Sequence, residues 1–113
     1  MHTSARCTIL TLAAALVPAG CAINAEPDFD SAVPQDRFLA IREAKANRDT
    51  SALPNLVRQL GSDDALVRVA AIDALETITG DTRGYRPHAA EVERRQAISR
   101  WITWLETNQE AAR

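Results

Sequence analysis

The segment from Asp64 to Thr79 repeats its apolar residues every three or four positions, and this repeat constrains the fold more than any other feature. Such spacing places side chains on one face of an α-helix, whereas a half-buried strand would alternate apolar and polar residues. Acidic residues precede the segment and Gly80 follows it, and these residue types cap helix N- and C-termini. The predicted apolar stripe consists of Val67, Ala70, Ala71, Ala74, Leu75 and Ile78. Because alanines are small, a second helix can approach this stripe closely.

Two shorter helices are predicted before this segment. The first runs from about Pro34 to Asn47, and the second runs from about Ala52 to Leu60. Proline suits the first turn of each helix, as at Pro54, because the amide that proline lacks would have no intrahelical partner there. We expect Ser51 or Thr50 to cap the second helix.

A fourth helix is predicted from about His88 to Gln109. Its apolar side is formed by Val92, Ile98, Trp101, Ile102 and Leu105. We expect Trp101 to be buried and its indole N–H to find a partner. We expect the helix to act as a terminal cap that covers the small-residue stripe of the second and third helices. No segment shows the alternation typical of a strand, so the sequence predicts an all-α fold of about four helices.

The first 20 residues predict a signal peptide. Arg6 precedes an apolar stretch from Thr8 to Val17, which is too short to span a bilayer but suits the core of a secretion signal. Small residues then lead to Cys21. Two alternatives stay open: cleavage after Ala25, and a buried core helix over residues 8–17.

Ala19, Gly20 and Cys21 resemble the lipobox of bacterial lipoproteins, although Pro18 stands where an aliphatic residue is usual. The resemblance implies acyl chains on Cys21, and two or more chains anchor a protein stably to a membrane. Because Ala22, and not aspartate, follows Cys21, the resemblance also implies that the protein lies on the periplasmic face of the outer membrane. Residues 21–33 would be the lipidated N-terminus and a flexible tether, and 34–110 the helical domain. Cleavage near Ala25 would instead leave a soluble periplasmic protein.

Charge and residue counts exclude several classes of function. Without the first 20 residues the chain has 12 basic and 15 acidic residues, a net charge of −3, so we expect no nucleic-acid partner. Cys21 is then the only cysteine and His88 the only histidine, so no pair has the spacing of zinc ligands. The sequence therefore predicts no metal, no cofactor and no catalytic centre.

The segment from Ala52 to Ile78 resembles a HEAT-type repeat, particularly the short bacterial units of phycobilin lyases. The matching residues are Ala52, Leu53, Pro54, Leu56, Val57, Leu60, Asp64, Val67, Arg68, Ala71, Ala74 and Leu75. A weaker echo lies 31 residues upstream, where Arg37 and Ala40 correspond to Arg68 and Ala71. The resemblance implies a short HEAT-like α-α superhelix in which Asp64 and Arg68 hold the turn and link neighbouring units, and Pro54 and Trp101 are structural. One repeat cannot bury its own face, so the flanking helices must complete the stack.

These observations predict a membrane-tethered, periplasmic interaction or scaffold module of HEAT-repeat type. The turn residues Tyr85, Arg86 and Arg83 are candidates for contacting a protein partner, because Tyr and Arg are favoured in binding hot spots. In the alternative, Tyr85 packs the turn onto Trp101. A structural envelope lipoprotein is a further alternative, and an enzyme or lyase-like accessory factor is disfavoured because no catalytic constellation is found.

Overall fold

The computed structural model describes residues 24–111, and it is built from four α-helices. They are α1 (Pro34–Ala46), α2 (Leu53–Gln59), α3 (Ala65–Thr79) and α4 (Glu91–Ala111), with a 3-10 turn at Thr50–Ala52 before α2. Within residues 24–111 no strand occurs. The all-α prediction is therefore confirmed for this range, whereas the predicted signal peptide and Cys21 lie outside the described residues.

Local capping chemistry fixes the bounds of α3 as predicted. The Asp64 carboxylate accepts hydrogen bonds from the amides of Leu66 (2.8 Å) and Val67 (3.1 Å), so it satisfies two amides that lack intrahelical partners. Gly80 ends the helix in the left-handed conformation with φ of 80°, which glycine adopts without a Cβ clash.

The cap before α2 differs from the prediction. Neither Ser51 nor Thr50 caps this segment; the Asp49 carboxylate accepts from the amide of Ser51 (3.0 Å) and from its hydroxyl (2.6 Å). Ser51 is thus a donor in this turn, because a neighbouring carboxylate competes more strongly for the amide than a hydroxyl does.

α4 begins three residues later than predicted, and two of its apolar residues lie on the surface. A separate turn, closed by the amide of Ala89 donating to the carbonyl of Arg86 (3.1 Å), uses the residues that would have formed its first turn. Val92 is 62% exposed and Ile102 is 45% exposed, so the predicted apolar side was too wide. Ile98 and Leu105 pack against the core, as predicted.

The helices pack in the order α1, α3, α2, α4. Two contacts show that α1 and α3 run parallel. Lys45 pairs with Asp73, and three residues later Arg48 donates to the carbonyl of Thr77 (2.9 Å). α4 packs on α2, which is one of the two helices that it was expected to cover, and α1 packs along α3.

The direction of α4 follows from the residues near each end of α2. The end of α2 near Gly61 shares a depression with Glu91, whereas Pro54 at its start shares another with Asn108. The two helices are therefore antiparallel. To allow this, the connection after α3 returns along the molecule before α4 begins.

One core joins the helices, and Trp101 is its largest fully buried side chain. Its indole N–H donates to the carbonyl of Thr82 (3.0 Å), which confirms the prediction of a buried Trp101 with a bonded N–H. The core consists of Ile41, Ala44, Ala52, Leu56, Val57, Leu60, Val67, Ala71, Ile72, Ala74, Leu75, Tyr85, Ala97 and Trp101.

Residues 28–33, here called the strap, are fastened to the helices and do not form the predicted free tether. Phe29 packs against the core, and its carbonyl accepts from the buried Gln59 side chain (2.9 Å). Asp30 pairs with Arg58 (2.6 Å), and the amide of Asp28 donates to the carbonyl of Asp36 (3.2 Å). The packed Phe29 ring and these polar contacts thus hold the strap on the helices, although its sequence lacks helical periodicity.

Candidate functional site

An open groove of about 780 Å³ runs between the parallel helices α1 and α3. Each helix lines it with residues three or four positions apart, which share one helical face. α1 contributes Phe38, Ile41, Arg42 and Lys45, and α3 contributes Leu66, Val69, Ala70, Asp73 and Thr77. We define this groove as the α1/α3 groove.

The end of the groove nearest the helix N-termini is apolar. Leu66 is 72% exposed there, the highest exposure among the large hydrophobic residues of the described range. Phe38 lies across from it and is half-buried. Both also line an adjoining depression of about 260 Å³ with Pro34 and Val67. Leu66 thus stands between two concave surfaces, where a partner could cover it from both sides.

The groove is basic from its middle to its other end. Arg42, Lys45 and Arg48 line this part together with a single carboxylate, that of Asp73, which Lys45 holds at 2.5 Å. Arg48 donates to the carbonyl of Thr77, near the negative end of the α3 dipole. The Arg42 guanidinium lies 6.0 Å from the centre of the Phe38 ring and is exposed. The groove therefore has an apolar floor and a net charge of +2 along its rim.

The structure separates the three residues predicted to contact a partner. Tyr85 is 3% exposed, and its hydroxyl donates to the carbonyl of Leu60 (2.7 Å). Tyr85 is therefore a core residue and does not lie on the surface of the turn. Burial raises the pKa of Tyr85, although Arg68 and Arg94 act in the opposite direction. Arg86 is exposed and pairs with Glu93. A partner role for this turn stays a prediction, and Arg86 is the member that solvent reaches most readily.

Arg83 fills the space beside the two tryptophans. Its guanidinium lies 4.5 Å from the Trp101 ring centre and 4.1 Å from that of Trp104, and the two rings meet edge to face at 5.6 Å. Asp81 lies 3.1 Å from the same guanidinium. The backbone of Arg83 has a positive φ of 51°. The aromatic pair is therefore occupied by the protein's own cation.

Arg68 joins two turns, and Asp64 and Pro54 serve local structure. The Arg68 guanidinium donates to the carbonyls of Ser62 (2.9 Å) and Asp63 (3.1 Å) before α3, and to that of Pro87 (3.3 Å) before α4. Asp64 is the α3 cap, and Pro54 lies in the first turn of α2. Neither Pro54 nor the two charged residues lines the α1/α3 groove.

The sequence patterns did not identify the groove. Leu66 and Val69 are apolar residues outside the main stripe of α3, and this second, narrower stripe was the signal available. Within residues 24–111 no helix is long and apolar enough to cross a membrane, and no group of three or more potential metal ligands assembles. His88 is exposed.

Three comparisons with known proteins complete the description of the site. No family model, no curated protein and no solved structure matches this chain. The helical fold and the α1/α3 groove are therefore the basis on which a function can be assigned.

Proposed function

We propose that this protein is a membrane-tethered periplasmic interaction module of HEAT-repeat type, and that the α1/α3 groove receives a protein partner. The observation that carries the proposal is Leu66, which is 72% exposed in a concave surface beside the half-buried Phe38. Burying an exposed leucine contributes about 1.5–3 kcal/mol, which a partner can gain only in a concave surface that contacts it on several sides.

The order of the helices supports the repeat assignment for α1 to α3. Equivalent helices of successive repeats stack side by side in the same direction, as α1 and α3 do here. The small residues Ala40 and Ala71, which correspond in the two predicted units, are both buried. α4 departs from this order because it is antiparallel to α2, so in this proposal it ends the stack and adds no further unit.

Acylation of Cys21 would place the groove at a membrane surface. The residues between Cys21 and the strap, extended fully, reach at most about 25 Å. A lipid anchor at that distance raises the local concentration of the module toward membrane-bound partners. The outer membrane, on its periplasmic face, is the proposed location, and soluble periplasmic protein is the alternative.

Site-specific photo-cross-linking in the envelope of a Gram-negative host tests the interaction role. A photoreactive residue replaces Leu66 in the groove, and a matched chain carries it at Val92, which is also exposed but lies on α4. We expect a discrete protein adduct from the groove position and none from the α4 position. A structural lipoprotein without a partner would give no adduct at either position, and adducts of equal yield at both would indicate random collisions.

A further inference from the structure

The α1/α3 groove is divided into an apolar end and a basic end, and this division defines what it can bind. Leu66 and Phe38 form the apolar end, and Arg48 lies beyond the Lys45–Asp73 pair at the other. Arg42 lies between the two ends, 6.0 Å from the centre of the Phe38 ring. A ligand that satisfied both ends would need apolar side chains followed by negative charge.

Charge is distributed unequally over α1. At 3.6 residues per turn, Ala40 and Ala44 face away from the groove, and the strap lies against them, with Phe29 beside Ala40. The depression between the strap and α1 is lined by the carboxylates of Glu43 and Asp49 and by no basic residue. A chain with a net charge of −2 thus concentrates positive charge along one groove, which attracts an acidic partner to that surface and repels it from the opposite one.

The dimensions of the groove favour a helix. From Leu66 to Thr77 the floor rises by about 16 Å, which is three turns of an α-helix. Helices bind such grooves through apolar residues at positions i, i+3 or i+4, and i+7. The groove walls repeat with the same spacing, so helical side chains can fit between those of α1 and α3.

We infer that the α1/α3 groove binds an amphipathic helix of a partner protein, with its apolar stripe over Leu66 and a cluster of acidic residues against Arg42 and Arg48. This inference rests on the proposed function and specifies the partner that it requires. The exposed Arg42 is the principal charge contact, because within the described residues it has no carboxylate partner, whereas Lys45 is already paired.

Fluorescence anisotropy with the purified full chain tests this inference. The probe is a labelled synthetic helix of about four turns with leucines at i, i+4 and i+7 and glutamates at one end, and the matched probe has lysine at each glutamate position. We expect the acidic helix to bind at least about tenfold more tightly than the basic one. Each screened charge pair contributes only part of this factor, and the pairs together give the whole. Added salt should reduce the difference.

Variants identify the surface. Arg42→Glu should weaken the acidic helix about tenfold and strengthen the basic helix, since the charge at that point is reversed. Leu66→Ala should weaken both helices about tenfold. Arg95→Glu, an equal charge reversal at an exposed residue of α4 outside the groove, and Val92→Ala should leave both affinities within about twofold. Thermal melts establish that each variant is folded.

Equal affinity for the two helices, or equal effects of Arg42→Glu and Arg95→Glu, would overturn the inference. If the Leu66 photo-cross-link captures a protein while the acidic helix fails to bind, the proposed function stands and this inference is wrong. If neither occurs, both are wrong.

Discussion

Replacing Trp101 with alanine should destabilise the domain more than any other single truncation. The side chain is fully buried, donates to the carbonyl of Thr82 and stacks on the Arg83 guanidinium. An aromatic side chain buries roughly 150–250 Å². At about 25 cal/mol per Å² this corresponds to about 4–6 kcal/mol, of which the alanine methyl retains a part. Measured truncations of buried Phe or Trp cost about 3–5 kcal/mol, in agreement with this value.

This loss is large beside the total stability of the protein. A domain of this length has a free energy of unfolding of about 4–13 kcal/mol. A loss of 1 kcal/mol lowers the melting temperature of such a domain by about 4–8 °C, so Trp101→Ala should lower it by at least about 12 °C or leave the chain largely unfolded. Thermal melts followed by far-UV circular dichroism measure this shift.

Ile102→Ala provides the matched control. It removes apolar atoms from the neighbouring position of α4, but Ile102 is 45% exposed, so the melting temperature should change by only a few degrees. A Trp101→Ala melt within a degree or two of the wild type would refute the reasoning. The core between α2 and α4 would then not depend on the indole, and both tryptophans would become candidates for a binding surface.

Four further outcomes are expected. Metabolic labelling with a palmitate analogue should mark the wild type and not Cys21→Ser; an unlabelled, soluble wild type would instead support cleavage near Ala25. Asp64→Ala should cost about 1–2 kcal/mol because two α3 amides lose their acceptor, while Asp63→Ala, as control, should cost little; equal melts would contradict this. Elemental analysis of the purified protein should find no bound metal, and one equivalent would contradict the ligand count. Since burial raises the pKa of Tyr85 above its ordinary 10.0, the free energy of unfolding should be independent of this group below pH 10 and fall as the pH rises further, because the unfolded chain releases the phenolic proton first.

Tyr85→Phe isolates that alkaline contribution. It removes the hydrogen bond to the carbonyl of Leu60, so it should cost about 1–2 kcal/mol at neutral pH and lose less stability than the wild type above pH 10. Tyr85 is the only tyrosine, so tyrosinate absorbance reports on it alone. Identical alkaline destabilisation of the two proteins would show that another group is responsible. Tyr85→Ala should cost several kcal/mol because the ring is buried.

Local chemistry made the helices predictable. Asp64, Gly80 and the prolines act on their own neighbours, so their effects can be read from the sequence, and the bounds of α3 follow from them. Long-range packing was not accessible in this way. The burial of Tyr85 depends on Leu60, which lies 25 residues earlier, and the exposure of Val92 depends on which side of α4 meets α2.

The candidate site illustrates the same limit. Arg42 and Leu66 have ordinary sequence surroundings, and they share a groove only because α1 and α3 run parallel. Two apolar stripes on α3 predict two packing surfaces, but periodicity does not say which of them another helix covers. The partner residues predicted in the turn were chosen for residue type, and residue type alone did not separate the buried Tyr85 from the exposed Arg86.

The strap makes the folded unit independent of how the N-terminus is processed. Cleavage before Cys21 and cleavage after Ala25 both leave residues 28–33 in the chain, so Phe29 and its hydrogen bond from Gln59 are retained in either product. If Cys21 is acylated as proposed, Cys21→Ser would therefore release the domain from the membrane and leave residues 28–33 in place against the helices. A cell that expressed both forms would have one binding surface in two places, and any difference between their phenotypes would report on location alone.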